Sequence, residues 1–262
     1  PPTHTTPHNQ PETATGIAAL PANSHITIEA VHIQHHAKKN PFLTKRQVKS
    51  LFRLKASRIL RELLSNPNQS WKIEQLANEA LVSTGHVYNI KEELLNREWA
   101  HFDNMGLKLN EPESLLQEWC KEYQTEDKPC FSFYSLLAPS EFEGRLKIVC
   151  NDLKVRYALS GLAGAFRLAP FVRYHRVAFY LEDKVNALVK KMDLKSVTSG
   201  ENVTIITPLD DGVFYDLRHI GEMRVVSPIQ LYLDLNVLGD RGKEAADYVF
   251  KGVIEPQWEK KK

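Results

Sequence analysis

Between residues 70 and 110 the apolar positions change period three times. Ile73, Leu76, Ala77 and Ala80 recur at i, i+3, i+4 and i+7, which puts one apolar stripe on a helix. Leu81-Val82-Ser83-Thr84-Gly85 breaks the stripe. Ser83 or Thr84 then caps a second helix by accepting the orphan N–H groups of its first turn. Val87, Ile90 and Leu94 form the inward face of that helix, which leaves Thr84, His86, Tyr88, Asn89 and Lys91 pointing elsewhere. From Trp99 to Leu109 the period falls to two on either side of Asp103-Asn104-Met105-Gly106, which predicts a two-stranded ribbon.

Helix, turn, polar-faced helix and ribbon in this order predict a winged helix-turn-helix, a module that reads DNA. A helix in the major groove needs short donors and acceptors near its N-terminus, where it comes closest to base edges. Ser83, Thr84, His86, Tyr88, Asn89 and Lys91 are the candidates on the reading helix. Asn89 suits adenine and Tyr88 a phosphate. Asn104 and Lys108 are the candidates on the wing, against the adjacent backbone or minor groove. The bland reading of the same stretch is a helical hairpin that binds nothing.

Upstream, Leu51, Leu54, Ile59, Leu60, Leu63 and Leu64 predict a helix running from a Thr44 cap to Leu64. Downstream, Leu115, Leu116 and Trp119 predict an amphipathic helix over residues 111–123. The remainder predicts helices over 140–150, 183–192, 227–235 and 241–254, with a further Ser160-capped helix. A short strand or a packed turn is predicted near Phe131, and strands at 157–159, 176–181, 203–206, 213–217 and 223–226. Ser227 followed by Pro228 is a preferred helix start. The expected fold class is a two-domain α+β or α/β chain: residues 1–40 form a flexible His/Pro-rich segment, 41–126 a winged helix with its linker helix, and 127–262 a mixed-sheet α/β domain.

Charge sharpens this picture. From Lys38 to Leu64 nine Lys and Arg, among them Lys45, Arg46 and Lys49, face one acid, Glu62, for a net of +8. A basic stretch ahead of a helix-turn-helix suits phosphate contact. The three cysteines have no CxxC spacing, so neither a disulfide framework nor a zinc site is expected. His32, His35 and His36 have helical metal-ligand spacing, but an exposed polar tail is the expected role. No signal-peptide pattern and no membrane-length apolar run occurs, so the expected compartment is the cytoplasm.

Tyr157-Ala158-Leu159-Ser160-Gly161, Leu168-Ala169-Pro170-Phe171-Val172-Arg173, Ser227-Pro228-Ile229-Gln230-Leu231-Tyr232-Leu233-Asp234-Leu235 and Gly239-Asp240-Arg241-Gly242-Lys243-Glu244-Ala245-Ala246 together resemble the AbiEi antitoxin/transcriptional-regulator family over residues 50–255. The resemblance implies an N-terminal winged helix and a C-terminal domain. It also implies a bacterial DNA-binding repressor of its own operon, and the antitoxin of a type IV system. The implied partners are double-stranded operator DNA and a nucleotidyltransferase toxin that it counters without needing direct contact. The motif residues also have a structural reading, with an Asp234–Arg241 ion pair and Ser227 as a cap.

No enzyme chemistry, cofactor or metal is expected. Glu182-Asp183-Lys184 after a strand, with Asp152 upstream, has the residue types of a metal-dependent nuclease. Asp210-Asp211-Gly212 is more simply a turn. Walker and GxSxG patterns are absent. As alternatives, the C-terminal domain is a nuclease-like module, or a ligand-sensing or dimerising one with a pocket lined by Phe166, Phe179 and Tyr180.

Overall fold

A computed structural model of the chain describes residues 51–52, 54–123, 128–170 and 173–259. Helix α1, Leu54–Ser65, is buried almost all round: Ile59, Leu60, Leu63 and Leu64 are enclosed, and so are Ser57, Arg61, Glu62 and Ser65. Such a helix sits inside a structure rather than on it. Helices α2, Ile73–Glu79, and α3, Thr84–Asn96, pack against it and against each other. As the periodicity predicts, α2 buries Ile73, Leu76 and Ala77, and α3 buries Val87, Ile90 and Leu94.

Strands β1, Ala100–Asp103, and β2, Gly106–Leu109, pair antiparallel, with Ala100 opposite Leu109. Trp71 bridges the other edge of β2 through two bonds to Leu107, N–H to O at 2.8 and 2.9 Å. This brings the start of α2 against the ribbon and makes Gly106 obligatory. Gly106 has φ +130°, and a Cβ there would lie 2.4 Å from the Trp71 carbonyl oxygen. Helix α4, Pro112–Tyr123, buries Leu115, Leu116, Trp119, Cys120 and Tyr123.

The remaining strands are β3 (Cys130–Tyr134), β4 (Tyr157–Ser160), β5 (Val177–Leu181), β6 (Lys195–Ser196), β7 (Val203–Ile206), β8 (Arg218–Ile220) and β9 (Met223–Val225). Among the described residues they form one mixed sheet in the order β6-β3-β7-β5-β4-β9-β8, with β5–β7 and β4–β9 parallel and the other pairs antiparallel. Strand alternation divides its side chains between two cores. Tyr157, Leu159, Phe179 and Leu181 face one side, with α5 (Pro139–Leu153) and α7 (Val185–Met192). Ala158 and Tyr180 face the other, with α8 (Pro228–Asn236) and α9 (Asp240–Val249). Helix α6, Gly161–Leu168, contributes to both. The second core continues without a break into α1–α4 and the ribbon. After α9 a wide π turn, Phe250–Ile254, leads into α10, Glu255–Glu259.

Several expectations change. The strand expected over 213–217 is a 3₁₀ turn, Asp211–Phe214, because the Asp210 carboxylate accepts the Gly212 N–H at 2.8 Å and closes the chain. The pairing partner of β9 comes later, through the Gly221-Glu222 turn. Ser160 precedes α6 but does not cap it. The 241–254 helix widens at Phe250. Phe179 and Tyr180 are neighbours on β5, so they enter opposite cores, and Phe166 lies against Tyr174 with ring centres 5.4 Å apart. Phe179 and Tyr180 therefore do not line one cavity together. The expected elements before Leu51, and the 126/127 boundary, lie outside the described residues.

Candidate nucleic-acid interface

Helix α3 begins at a Ser83 cap whose hydroxyl accepts the His86 N–H at 3.3 Å. That role occupies Ser83. Thr84, Tyr88 and Asn89 are exposed on the face away from Val87, Ile90 and Leu94. His86 is half-buried, and its Nε2 is enclosed without a protein partner among the described residues. Lys91 is folded down: its ammonium lies 5.1 Å from the Tyr88 ring centre, 4.6 Å from that of Phe102 and 3.1 Å from a Glu92 carboxylate oxygen. It ties α3 to the ribbon rather than reaching outward.

At the ribbon's end, Oδ1 of Asp103 accepts the N–H groups of Met105 at 2.7 Å and Gly106 at 3.2 Å. Those bonds, the Met105 one first, hold the Asp103 carboxyl below the usual carboxylate range. The Lys72 ammonium donates to the Asn104 carbonyl. Asn104 is exposed at the turn, and Lys108, half-buried, stands opposite His101 on β2. Between the start of α2, the start of α3 and the ribbon runs an open groove bounded by Ile73, Glu74, Thr84, Tyr88 and Phe102. Leu81, in the α2–α3 turn, is exposed with φ +53°, a left-handed conformation.

The basic stretch does not survive intact as a phosphate surface. Lys38, Lys39, Lys45, Arg46, Lys49 and Arg53 lie outside the described residues, and Lys55 is exposed. Arg58 grips Asp210 through two bonds, 2.7 and 2.9 Å. Burial pushes the Asp210 carboxyl up, but the Arg58 bonds and the Gly212 N–H outweigh it and hold it low. Arg61 is buried, lies 4.8 Å over the Trp119 ring and donates to the Gln230 side-chain oxygen. Burial pulls its pKa down against the attraction of Tyr123, Tyr180 and Asp234. The stretch from Ser70 to Asn110 carries four Lys and Arg against six acids.

Gln230 leads into a second constellation, which sequence reasoning missed. The buried Asp234 carboxylate accepts from Tyr123 at 2.5 Å, Ser160 at 2.6 Å, Tyr180 at 2.8 Å and Gln230 at 2.9 Å, with the Lys128 ammonium at 3.7 Å. Donors thus converge from α4, β4, β5 and α8, and Gln230 joins them to Arg61 on α1. The seam is extended by Tyr215 to Glu62 at 2.5 Å, Trp258 to the Leu64 carbonyl at 2.8 Å and Gln257 to the Ser65 carbonyl at 3.1 Å. The expected Asp234–Arg241 pair does not form; Arg241 donates to the Arg173 carbonyl at 2.6 Å. Ser227 does cap α8, accepting the Gln230 N–H at 3.2 Å. The one available signal was Arg61 itself, a charge at i+1 and i−3 to leucines of a buried face.

The nuclease-like residues are separately paired. Glu182 and Asp211 bind Arg156 at 2.6 and 2.8 Å, Lys184 donates to the Leu153 carbonyl at 2.8 Å, and Asp152 meets Lys191 at 3.4 Å. Among the described residues no helix is long and apolar enough to cross a membrane.

No curated protein and no solved structure matches the chain. Residues 108–255, more than half of it, match the family described as transcriptional regulator, AbiEi antitoxin, type IV TA system. That span takes in the end of β2, α4 and the sheet with its helices, including Tyr123, Ser160, Tyr180, Gln230 and Asp234 of the buried seam. This chain therefore belongs to the AbiEi family of transcriptional regulators and type IV toxin–antitoxin antitoxins.

Proposed function

We propose that α1–α3 and the ribbon are a winged helix-turn-helix, and that the protein represses its own operon by binding operator DNA through it. In this reading residues 41–126 are the DNA-binding domain and 127–262 the AbiEi-like domain, with 1–40 preceding both. What carries it is the split of α3 into a buried face of Val87, Ile90 and Leu94 and an exposed face of Thr84, Tyr88 and Asn89 beside the ribbon. Thr84 and Asn89 read base edges and Tyr88 meets a phosphate. Ser83, His86 and Lys91 set the start and seating of the helix. Asn104 and Lys108 are the wing contacts.

The stretch from Ser70 to Asn110 is net acidic, so Lys45, Arg46 and Lys49 supply the sequence-independent attraction. By the family's character, a nucleotidyltransferase toxin is the functional partner, countered without direct contact. Asn89→Ala should cost about 1–3 kcal/mol of discrimination between operator and random duplex. Equal discrimination in the variant would remove α3 from the groove. Replacing Lys45, Arg46 and Lys49 together by Ala should weaken binding to every sequence and lower the slope of log affinity against log salt by roughly three. An unchanged slope would place these three away from the phosphates.

A further inference from the structure

We propose that the groove between α2, α3 and the ribbon takes the major-groove edge of an A·T pair, with the thymine methyl on its apolar floor. This rests on the DNA-reading role of α3. The groove's chemistry is wrong for a phosphate. Its lining includes Glu74 and Asp103, both acidic, and the Lys72 ammonium is engaged with the Asn104 carbonyl. Its floor and wall are Ile73, Tyr88 and Phe102, and both rings are exposed, 51% and 44%.

Those rings are held in place. Lys91 sits against both, 5.1 and 4.6 Å from their centres, and Asp103 locks the turn that follows Phe102. Thr84, at the mouth, adds a methyl and a hydroxyl one helical turn before Tyr88.

Of the four base-pair edges, only A·T and T·A combine a methyl with an amino donor on adenine. The methyl suits the apolar floor, and the amino group suits the acidic lining. G·C and C·G also offer an amino group, on cytosine, but no methyl, so it is the apolar lining that selects A·T. Phe102 and the ring of Tyr88, whose hydroxyl at the ring's far end remains free for a phosphate outside the groove, are therefore specificity-determining in the same module that places Thr84 and Asn89 on base edges.

The test uses the full chain and a duplex it selects from a random-sequence pool. Each thymine of that duplex is replaced singly by deoxyuracil, which removes the methyl and nothing else. One position should lose about fourfold in affinity, the worth of a single buried methyl group. In Phe102→Ala and Tyr88→Ala that thymine-to-uracil ratio should fall to one, with each variant still folded by circular dichroism at the temperature of the binding assay. Enrichment of a sequence with no uracil-sensitive position would overturn the groove assignment alone. So would a ratio that persists in both variants. Failure to enrich any sequence would overturn the DNA reading, and this proposal with it.

Discussion

Two helices of the same small module carry polar residues to opposite ends. On α1, Arg58, Arg61 and Glu62 face inward and are spent on Asp210, Gln230 and Tyr215. On α3, Thr84, Tyr88 and Asn89 face outward. A buried polar group must be satisfied within the protein or it costs stability, so α1's charges tell of architecture. An exposed polar face costs nothing to keep, so α3's side chains remain available to a partner. The α1 seam also gives the family motif a physical meaning. Gln230 and Asp234 are where the sheet and α8 receive α1 and α4, so the module that holds α3 is bolted to the C-terminal sheet.

The comparison breaks most easily at Asp234. Asp234→Ala removes the acceptor shared by Tyr123, Ser160, Tyr180 and Gln230 and should cost about 3–5 kcal/mol in urea unfolding. Asn89→Ala should stay within about 0.5 kcal/mol of the parent. Similar losses at the two sites would erase the distinction between the buried seam and the exposed face of α3.

Gly106→Ala comes next. The added Cβ would lie 2.4 Å from the Trp71 carbonyl at φ +130°, and a cost of about 2–4 kcal/mol is expected. Amide exchange should localise it to the ribbon and the start of α2. A melt equal to the parent's would show that the ribbon is not held by the Trp71 bridge.

Glu62 sharpens the contrast through pH. Burial raises its pKa above the ordinary 4.5, against the lowering effect of the Tyr215 hydrogen bond. The native state therefore holds this proton more tightly than the unfolded chain. The stability it contributes is present below about 4.5 and is lost as pH rises through the raised native value. Glu62→Gln should remove that slope, so its stability relative to the parent should improve from pH 4 to pH 7. A difference that moves the other way would mean the carboxylate is stabilised in place. The smallest effect is expected at Leu81, exposed at φ +53°, where Leu81→Asn should gain about 0.5 kcal/mol because Asn tolerates that conformation. A loss on thermal melting would show that the Leu81 side chain is needed.

Periodicity made α2, α3, the ribbon and most of the sheet legible, because one-sided burial leaves a period of 3.6 or 2 in the chain. It could not say which charges are buried. Arg58 and Arg61 counted toward a basic surface on composition alone, whereas their partners lie 152 and 169 residues away along the chain. The sequence reading pairs Asp234 with Arg241, whereas the fold turns it toward α4, β4 and β5. Val213 to Leu217 looked like a strand from its apolar content, and one carboxylate-to-backbone bond at Asp210 turned it into a 3₁₀ turn. For α3, the cap position and the inward residues are readable from spacing. That Lys91 lies on two rings depends on the ribbon's return and is not.

The central claim is that α3 reads sequence. It is met most directly by titrating the full chain with the duplex upstream of its own coding sequence and with a random duplex of equal length, across a salt series. The account predicts tighter binding to the upstream duplex at every salt, with both affinities falling as salt rises. Equal affinity for the two duplexes across the series would contradict it.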